Sequence, residues 1–499
     1  MYMAETKQMQ LSKSDYMLFL KHPAWLWLKK HDPNKLPPVD AGLQAIFDTG
    51  HDFEQYAEAL FKGGETLGFN DYDQYTTLPA KTIGALASGA QTIFQGRFEY
   101  NNITFICDIV QVVGKNLLDL YEIKSSTNVK PEHIDDLTFQ TVVLKKCGIT
   151  VRNIYVICVN NQYVRKGSIK PAEITNVNDV TAEVKAKYNY AVGKIDEALA
   201  AMTQKECPEM SPLNANPKYF KDWLEVYTYI NKPDPGSIFD LCQMDANTYK
   251  NLLDSSIKQI NEIPTDFALK PKQNMQVQAL KNGKPIINNS KIKDFLATFK
   301  YPLYFFDYET LGGLEPRFDG MRPYAQYPFQ YSLHVLKSPD AKLEHYEYLH
   351  TKNSNPAKDV VKAMKLHFDK TGSIITWNMS FEKSCNDTLA QFVPTEAQFL
   401  KDINARIVDL MIPFSNGWYV DSGFNGSASI KYVLPVLVPE LSYKELNIQE
   451  GGSAQRVWME TILDGKNASQ KDQILANLLV YCGLDTLAMV KIYNVLNNL

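Results

Sequence analysis

The chain has 499 residues, of which 45% are hydrophobic and 12% aromatic. This length and composition allow a large buried core, exclude a single small domain and, at about 150 residues per domain, predict roughly three units. Lys and Arg number 52 against 56 Asp and Glu, a net charge of −4 that counts against a protein that coats nucleic acid without specificity. It does not count against a nuclease, because catalytic carboxylates add negative charge that bound divalent cations neutralise.

The seven cysteines are scattered, odd in number and never spaced as C-x-x-C. Disulfide frameworks and structural zinc sites need paired or clustered cysteines, so we expect reduced thiols. The polar start MYMAETKQMQ lacks the apolar segment of a signal peptide, and no apolar run of about 18 residues is evident. These features predict a soluble, cytoplasmic protein that does not associate with a membrane.

In chain order, helical and strand-like patterns form successive blocks. Residues 11–30 have a serine near their start and carry apolar side chains at helical spacing, which predicts a capped amphipathic helix, and 41–62 are helical in pattern too. Short β-branched and aromatic runs over 92–165, with one helical stretch at 132–147, indicate a mixed α/β unit. The polar chain of 168–295, with turn signals such as NKPDPGS, indicates a helical connector.

A second α/β unit begins at YPLYFFDYET and closes on a long helical pattern over 470–497. The sequence therefore predicts an α/β protein. Its predicted domains are 1–205, the connector 206–295, and 296–499.

Two carboxylates and a lysine flank a predicted hairpin in the first unit. If GKN is its turn, Asp108 and Glu122 are equidistant from Lys115 and face each other. Opposed carboxylates destabilise a ladder unless a cation lies between them, and Lys124 shares the strand face of Glu122 by the period-two rule. The same residues also fit an ordinary solvated strand face, and a bulge at the turn would shift the register by one residue.

The motif order over about residues 8–165 resembles that of the RecB-like PD-(D/E)XK nucleases, including CRISPR-associated ones. The motifs are LSKSDYMLFLKHP, GHDFEQYAEALF, the aspartate of ICDIV, the ExK of YEIK, and FQTVVLKKCG. The resemblance implies a restriction-endonuclease-like fold with a metal-dependent site, in which an early helix supplies an acidic or His member. His51 is an alternative for that member. The residues that match the family's site are Glu54, Asp108, Glu122, Lys124 and Gln140.

Many of these relatives bind an iron–sulfur cluster through four cysteines, the first of them in a Cys-Pro near the first helix. This chain has His22-Pro23 at that place, and only Cys207-Pro208 further along. The ligand count for a cluster is absent, so we expect none.

The second unit has a D-x-E motif at the end of an apolar run. The run predicts a strand buried on both faces, with Asp307 and Glu309 projecting from one side. Burying two like charges is costly without a counter-ion, and a pair of Mg²⁺ or Mn²⁺ ions would offset that cost. The helical pattern at the carboxyl end places Tyr481 and Asp485 at i, i+4 on one face. For that helix alone, a core tyrosine beside a surface aspartate is the plainer interpretation.

The order of these motifs over about residues 300–499 resembles the DnaQ-like 3′–5′ exonucleases with a tyrosine in the last motif, the DEDDy group. The resemblance implies an RNase H-like fold and assigns the middle acidic role, in TWNMSFEKS, to Glu382 where the family has Asp. Asp409 and Asp387 are alternatives for that role, with Asp409 also fitting a structural acid. The matching residues are Asp307, Glu309, Glu382, Tyr481 and Asp485.

Further residues near these motifs have expected parts. Ser429 fits a helix cap, and Lys431 fits a contact with the nucleic-acid backbone. Trp377 and Tyr432 fit stacking on bases, whereas Tyr308 alternates away from the carboxylate face and fits the core. A lone strand histidine such as His334 is more often structural than catalytic.

The whole chain also resembles uncharacterised bacterial proteins that join these two modules. Together the resemblances imply 3′–5′ exonucleolytic hydrolysis of single-stranded DNA or RNA by the second module, with a second nuclease site in the first. The alternative is a nucleic-acid-binding or assembly protein in which one or both sites are inactive.

Overall fold

A computed structural model of the chain describes residues 9–38, 52–443, 446–448 and 450–499. It is 50% helix and 17% strand, so the predicted mixed α/β class is confirmed. The described residues fall into two compact units, and the predicted connector is divided between them, so the three-part division stays a prediction. The first unit comprises Met1–Pro233 with Asp245–Lys250, and the second Asp234–Met244 with Asn251–Leu499.

The first unit contains, besides short 3-10 turns, the following elements in chain order: β1 (Leu11–Ser12), α1 (Lys13–Lys21), α2 (Pro23–His31), α3 (which includes residues 52–58), β2 (Glu65–Thr66), α4 (Tyr72–Ala87), β3 (Thr92–Phe94), β4 (Arg97–Tyr100), β5 (Ile103–Ile106), β6 (Ile109–Gly114), β7 (Leu117–Lys124), α5 (Pro131–Lys146), β8 (Thr150–Val159), α6 (Pro171–Ile174), β9 (Thr175–Asp179), α7 (Thr181–Thr203) and α8 (Phe220–Asn231). Six strands form a mixed sheet with the order β2-β3-β6-β7-β8-β9, and three form a smaller sheet with the order β1-β5-β4. Helices α1, α5 and α7 contribute to one hydrophobic core with these strands.

The helix predicted over 11–30 is interrupted in the structure. It begins with the expected serine cap, since the backbone N–H of Asp15 donates to Ser12 Oγ and that of Ser12 donates to Asp15 Oδ2. The chain then becomes extended at His22, because a residue before proline is disfavoured in the helical region, and Pro23 begins α2. The serine cap is confirmed, and the single helix is wrong.

The other two helices predicted for this unit are described to different extents. The stretch predicted over 132–147 is confirmed as α5. Of 41–62 the structure describes the part from residue 52 onward, where 52–58 are helical. His51 lies outside the described residues.

The hairpin of β6 and β7 has the predicted register. Residues 109–112 pair with 118–121 at equal distances from Lys115, and the register shifts only at the turn itself. Asp108 precedes the first pair, so the expected direct ladder pairing of Asp108 with Glu122 is not formed. Both carboxylates nevertheless lie at the same end of the hairpin.

The second unit contains α10 (Pro271–Asn282), β10 (Ile286–Ile287), α11 (Asn289–Leu296), β11 (Leu303–Leu311), β12 (Tyr327–Leu336), β13 (Glu344–Leu349), α12 (Ala357–His367), β14 (Ser373–Thr376), α13 (Met379–Phe392), α14 (Ala397–Arg406), β15 (Ile407–Asp409), α15 (Ile412–Ser415), β16 (Tyr419–Val420), α16 (Ile430–Leu437), α17 (Gly451–Trp458), which continues into a π-helical turn (Met459–Leu463), and α18 (Lys471–Asn497). An earlier helix, α9 (Ala246–Asp254), spans the division between the units. The main sheet has five strands in the order β13-β12-β11-β14-β15, and β10 pairs with β16 in a small separate sheet.

Strand β11 is the central strand of the five. It runs antiparallel to β12 and parallel to β14, and each of its residues is buried except Asp307, which is partly exposed. The strand predicted to be buried on both faces is therefore confirmed. The register with β12 shifts after Glu309, at the end where both acidic residues lie.

Helix α18 confirms the long helix predicted over 470–497 and packs against β11 and β12. Its segment, Ala468–Asn497, is the one helix among the described residues that is long and apolar enough to cross a membrane by length and composition. The expectation of no such run is wrong for this segment. Its side chains Ala488, Met489 and Ile492 belong to the hydrophobic core, and a core helix has the same composition as a membrane-spanning one.

Candidate carboxylate sites

The second unit has a cleft of about 370 Å³ beside the acidic end of β11. Four of the predicted site residues line it: Asp307 and Glu309 from β11, and Tyr481 and Asp485 from α18. The structure thus brings together strand and helix residues that are far apart in sequence. This volume is sufficient for a small molecule or for the end of a polymer.

The cleft also has apolar lining residues, Trp377, Phe381, Ile430 and Met489, and Lys431 is the one basic side chain among its lining residues. A flat apolar group can therefore pack in the cleft, whereas a negatively charged group lies near the carboxylates only if a cation accompanies it.

Asp307, Glu309 and Cys482 each offer one ligand atom within 4.8 Å of the others. Glu309 is only 6% exposed. Cys482, which the sequence analysis did not select, is fully buried, and its Sγ lies 3.9 Å from the carbonyl oxygen of Asp307. Burial and the nearby carboxylates raise the pKa of the Cys482 thiol well above its usual value, so it stays protonated without a metal.

Glu382 lies in the first turn of α13 and is 1% exposed. Its Oε2 is buried with no hydrogen-bond partner. Its charge acts on Asp307, so the predicted middle acid lies within electrostatic range of the D-x-E motif, although it is not among the residues that line the cleft.

The carboxylates repel one another. Burial raises the pKa of Asp307 well above its usual value, and the charges of Asp485, Glu382 and Glu309 raise it further. Burial, with Asp485, likewise raises the pKa of Glu309, and burial raises that of Glu382. An orphaned carboxylate oxygen and uncompensated negative charge are what a hard divalent cation offsets. The residues therefore fit Mg²⁺ or Mn²⁺.

Asp485 has one partner that the sequence did not predict. Tyr443 donates a hydrogen bond of 2.6 Å from its hydroxyl to Asp485 Oδ1. Burial raises the pKa of Asp485, while this hydrogen bond and the charge of Lys431 oppose the rise. Tyr443 therefore favours the ionised, oriented form of this carboxylate.

For the metal-dependent hydrolysis that the sequence resemblance implies, Tyr443→Phe is expected to lower kcat/KM by about tenfold or more, because a hydrogen bond to a charged group is worth about 1.5–3 kcal/mol. The measurement is kcat/KM at saturating and limiting Mn²⁺. Tyr493→Phe is the matched control. Tyr493 lies on the same helix as Asp485, and its hydroxyl is hydrogen-bonded to that of Tyr301. Equal kcat/KM in Tyr443→Phe and the native protein would remove Tyr443 from the site.

Tyr481 is 6% exposed, and burial together with Asp485, Glu309 and Asp307 raises the pKa of its phenol far above the usual value. The hydroxyl therefore stays protonated at neutral pH. It can donate a hydrogen bond within the cleft but does not act as a base.

The two alternatives for the middle acid have other surroundings. Asp409 accepts hydrogen bonds from the backbone N–H groups of Asn378 and Met379 at 3.2 Å and of Met411 at 2.9 Å, so it caps the start of α13. Asp387 is exposed and accepts from Asn404.

His334 is buried, stacks on His345 and lies 2.8 Å from Thr486 Oγ1. Burial and His345 lower its pKa to about 4, so it is neutral at physiological pH. These contacts agree with a structural histidine.

The remaining predicted residues divide between core and surface. Tyr308 is buried and donates to Asn386, as expected of a core residue. Trp377 donates from Nε1 to the carbonyl of Ala428, whereas Tyr432 is 48% exposed. Ser429 occupies the cap position of α16, but its side chain makes no capping hydrogen bond.

In the first unit, three predicted residues form one hydrogen-bonded group. Glu122, 1% exposed, accepts from Lys124 Nζ at 2.7 Å on Oε1 and from Gln140 Nε2 at 2.6 Å on Oε2. Lys124 and Glu122 therefore share a face, as the period-two rule predicted. Gln140 reaches Glu122 from α5.

Two further residues belong to this group and were missed. Lys13 Nζ lies 2.8 Å from Glu122 Oε1, and Asp136 accepts from Lys124 at 3.0 Å and from Gln140 at 2.9 Å. Asp136 precedes Gln140 by one helical turn, a spacing that could have identified it. No spacing in the sequence connects Lys13 to Glu122.

The acidic side of the same cluster contains Asp108, Glu54 and Glu58. Asp108 Oδ2 accepts from the backbone N–H of Ile123 at 2.7 Å. Burial raises the pKa of Glu58, and the charges of Glu54 and Asp108 raise it further. Glu58 follows Glu54 by one helical turn and was also missed.

Gln140 Oε1 is buried with no hydrogen-bond partner. This orphaned acceptor and the repulsion among the three acids fit a divalent cation on the acidic side of the cluster. The predicted early-helix member, Glu54, is connected to Asp108 through Gln95, whose side chain donates to Glu54 Oε2 at 3.4 Å and whose backbone N–H donates to the carbonyl oxygen of Asp108 at 3.1 Å.

Fold and geometry together define the second unit as a mixed α/β unit whose central strand and last helix bury a carboxylate cluster. The family described as a domain of unknown function (DUF2779) matches residues 304–429. The match includes Asp307, Glu309 and Glu382 but ends before α18, which carries Tyr481 and Asp485.

Three relatives are similar to part of this chain. Uncharacterized protein MG366 of Mycoplasma genitalium is 25% identical over 238 residues, and its homolog in Mycoplasma pneumoniae is 27% identical over 234, each match covering 43% of this chain and 35% of the relative. Uncharacterized protein UU173 of Ureaplasma parvum is 24% identical over 240 residues, or 42% of this chain and 34% of that protein. The chain thus matches about a third of the length of these curated relatives.

Proposed function

We propose that the second unit is a divalent-metal-dependent, DnaQ-like 3′–5′ exonuclease that hydrolyses single-stranded DNA or RNA. The observation that carries this proposal is the meeting of Asp307, Glu309, Tyr481 and Asp485 in one cleft, with the charge of the buried Glu382 acting on Asp307. Mutually repelling carboxylates from a central strand and a distant helix are costly in a structural role. They are expected where a metal ion is to be bound.

The sheet supports an RNase H-like fold for this unit. Its first three strands, β11 to β13, form an antiparallel meander, and β14 and β15 continue the sheet in parallel on the other side of β11. The acidic motif lies on the central strand, next to the final helix, which is the arrangement that the resemblance to DnaQ-like exonucleases leads us to expect.

When bound, a pair of divalent cations would activate the attacking water and stabilise the leaving oxygen. The four carboxylates Asp307, Glu309, Glu382 and Asp485 would hold the cations. Tyr481, protonated throughout, would donate a hydrogen bond that orients the water.

The rest of the cleft would bind the strand end. Trp377 and Phe381 provide a surface on which the terminal base can stack, and Lys431 can offset backbone charge. A cleft of about 370 Å³ suits one strand end better than a duplex.

For the first unit we propose a second nuclease site of the PD-(D/E)XK type. Asp108, Glu54 and Glu122 would hold Mg²⁺ or Mn²⁺, Lys124 would orient the water, and Gln140 would position Glu122. No iron–sulfur cluster is expected, and the site of action is the cytoplasm.

The test is digestion of 5′-labelled single-stranded DNA and RNA with Mg²⁺ or Mn²⁺, with EDTA as the metal-free control. A ladder that shortens from the 3′ end only with metal is the expected result, and the comparison of the two strands identifies the preferred nucleic acid. Folded protein that cleaves neither strand with either metal would overturn the proposal in favour of a binding or assembly role.

A further inference from the structure

We propose that Lys13 is a positioning residue of the first unit's site, where it holds the charge of Glu122 so that Lys124 is free to act on a phosphodiester substrate. The inference rests on the nuclease function proposed for that unit and adds a residue to it. It derives from the unusual sharing of one buried carboxylate oxygen by two ammonium groups.

Both lysines reach the same atom. Lys13 Nζ lies 2.8 Å and Lys124 Nζ 2.7 Å from Glu122 Oε1. Asp136 Oδ2 lies 3.0 Å from Lys124 and 3.8 Å from Lys13. Either ammonium can therefore neutralise this pair of acids while the other is displaced.

The position of Lys13 is fixed by the fold. It is the first residue of α1, directly after the capping box of Ser12, and β1 before it pairs with β5 through Leu11 and Ile103. A lysine on a freely moving segment would lose more entropy on meeting Glu122. The capping box of α1 and the pairing of β1 with β5 instead hold Lys13 near Glu122.

The charged groups of the cluster lie in different places. The ammonium groups of Lys13 and Lys124 both pair with Glu122 Oε1 and Asp136 Oδ2, whereas Asp108 Oδ2 accepts from the backbone N–H of Ile123. A cation is thus favoured on the side of Asp108 and is repelled by the lysine side.

Two lysines are needed if one is to leave Glu122. The side chains of Lys124 and Lys13 are 27% and 25% exposed, so neither side chain is fully enclosed by the protein. If Lys124 turned towards a phosphate without Lys13 present, the buried Glu122 would lose its only counter-charge on Oε1. Lys13 removes that cost.

The test uses a parent protein carrying Asp307→Ala and Asp485→Ala, so that metal binding and cleavage report on the first unit. In it, Lys13→Gln keeps a hydrogen-bond donor but removes the charge, and Lys13→Arg keeps the charge. Lys30→Gln is the matched control, because Lys30 also bonds a buried acid of the same unit, Asp15, at 2.6 Å. The readouts are kcat and KM on single-stranded DNA, and Mn²⁺ binding followed by electron paramagnetic resonance.

Lys13→Gln is expected to lower kcat about tenfold or more with a smaller change in KM. It should also tighten Mn²⁺ binding, by about threefold or more, because a positive charge near the cation has been removed. Lys13→Arg and Lys30→Gln should match the parent in both measurements. A merely structural role of Lys13 would instead weaken Mn²⁺ binding together with cleavage.

The outcomes separate the two proposals. A parent that cleaves in an Asp108-dependent manner, with Lys13→Gln equal to it, overturns the role of Lys13 and leaves the nuclease site standing. A parent protein that binds Mn²⁺ but does not cleave overturns the nuclease function. The effect of Lys13 on the cluster is then tested by Mn²⁺ affinity alone, which must be higher in Lys13→Gln. A parent that binds no Mn²⁺ overturns both.

Discussion

Asp307→Ala is expected to lower the rate of hydrolysis at the 3′ end by about 10³-fold or more, which corresponds to about 4 kcal/mol of activation free energy. Asp307 lies at the centre of the cluster, since the charges of Asp485, Glu382 and Glu309 all act on it. In the proposed mechanism, the remaining carboxylates would not hold the cations in the geometry that in-line attack requires. The measurement is kcat on single-stranded DNA and RNA at saturating Mn²⁺.

The same substitution should leave the affinity for the single strand within about threefold, because the apolar lining residues and Lys431 are unchanged. Asp387→Ala is the matched control: it removes an exposed acid of the same unit and should retain native kcat. An Asp307→Ala protein with native kcat would show that the cluster is not catalytic.

Divalent cations are expected to raise the melting temperature of the protein by about 5 °C or more, and the rise should be larger at about pH 8 than at about pH 5. Burial and mutual repulsion raise the pKa of Asp307 and Glu309 in the folded protein, whereas unfolded carboxyls titrate near pH 4. The folded state therefore binds more protons, so the metal-free protein loses stability as the pH rises from about 4 through the raised pKa values. Cation binding offsets this loss where the groups are ionised.

Thermal melts with Mg²⁺ and with EDTA at both pH values check this result. A variant with Asp307→Asn and Glu309→Gln should show less dependence on pH and on metal, because the uncompensated charges are gone. A stabilisation by Mg²⁺ that is equal at both pH values, or that persists in this variant, would contradict the account.

Local rules were sufficient for much of the second unit's site. An apolar run ending in D-x-E predicted a strand buried on both faces, and β11 is such a strand, with Asp307 and Glu309 on alternate positions. The i, i+4 spacing likewise placed Tyr481 and Asp485 together on α18. Tyr443 could not be found this way, because its contact with Asp485 depends on how distant segments pack.

The first unit shows the same contrast between features that follow from local sequence rules and contacts between distant segments. The symmetric turn about Lys115 gave the register of β6 and β7, because strand pairing has a fixed period. Lys13 was missed because β1 and α1 bring it to Glu122 from a distant part of the chain, whereas the one-turn spacing of Asp136 from Gln140 could have identified Asp136. The break before Pro23 was readable, because the restriction that proline imposes on His22 is local.

The central claim, that the carboxylate cluster of the second unit hydrolyses nucleic acid from the 3′ end, is tested most directly with a strand labelled on its last nucleotide. The native protein with Mn²⁺ should release the label first as a mononucleotide. Asp307→Ala should not release it, and Asp108→Ala should release it as the native protein does. Release of the label at equal rates by the native and Asp307→Ala proteins, or none by either when folded, would contradict the account.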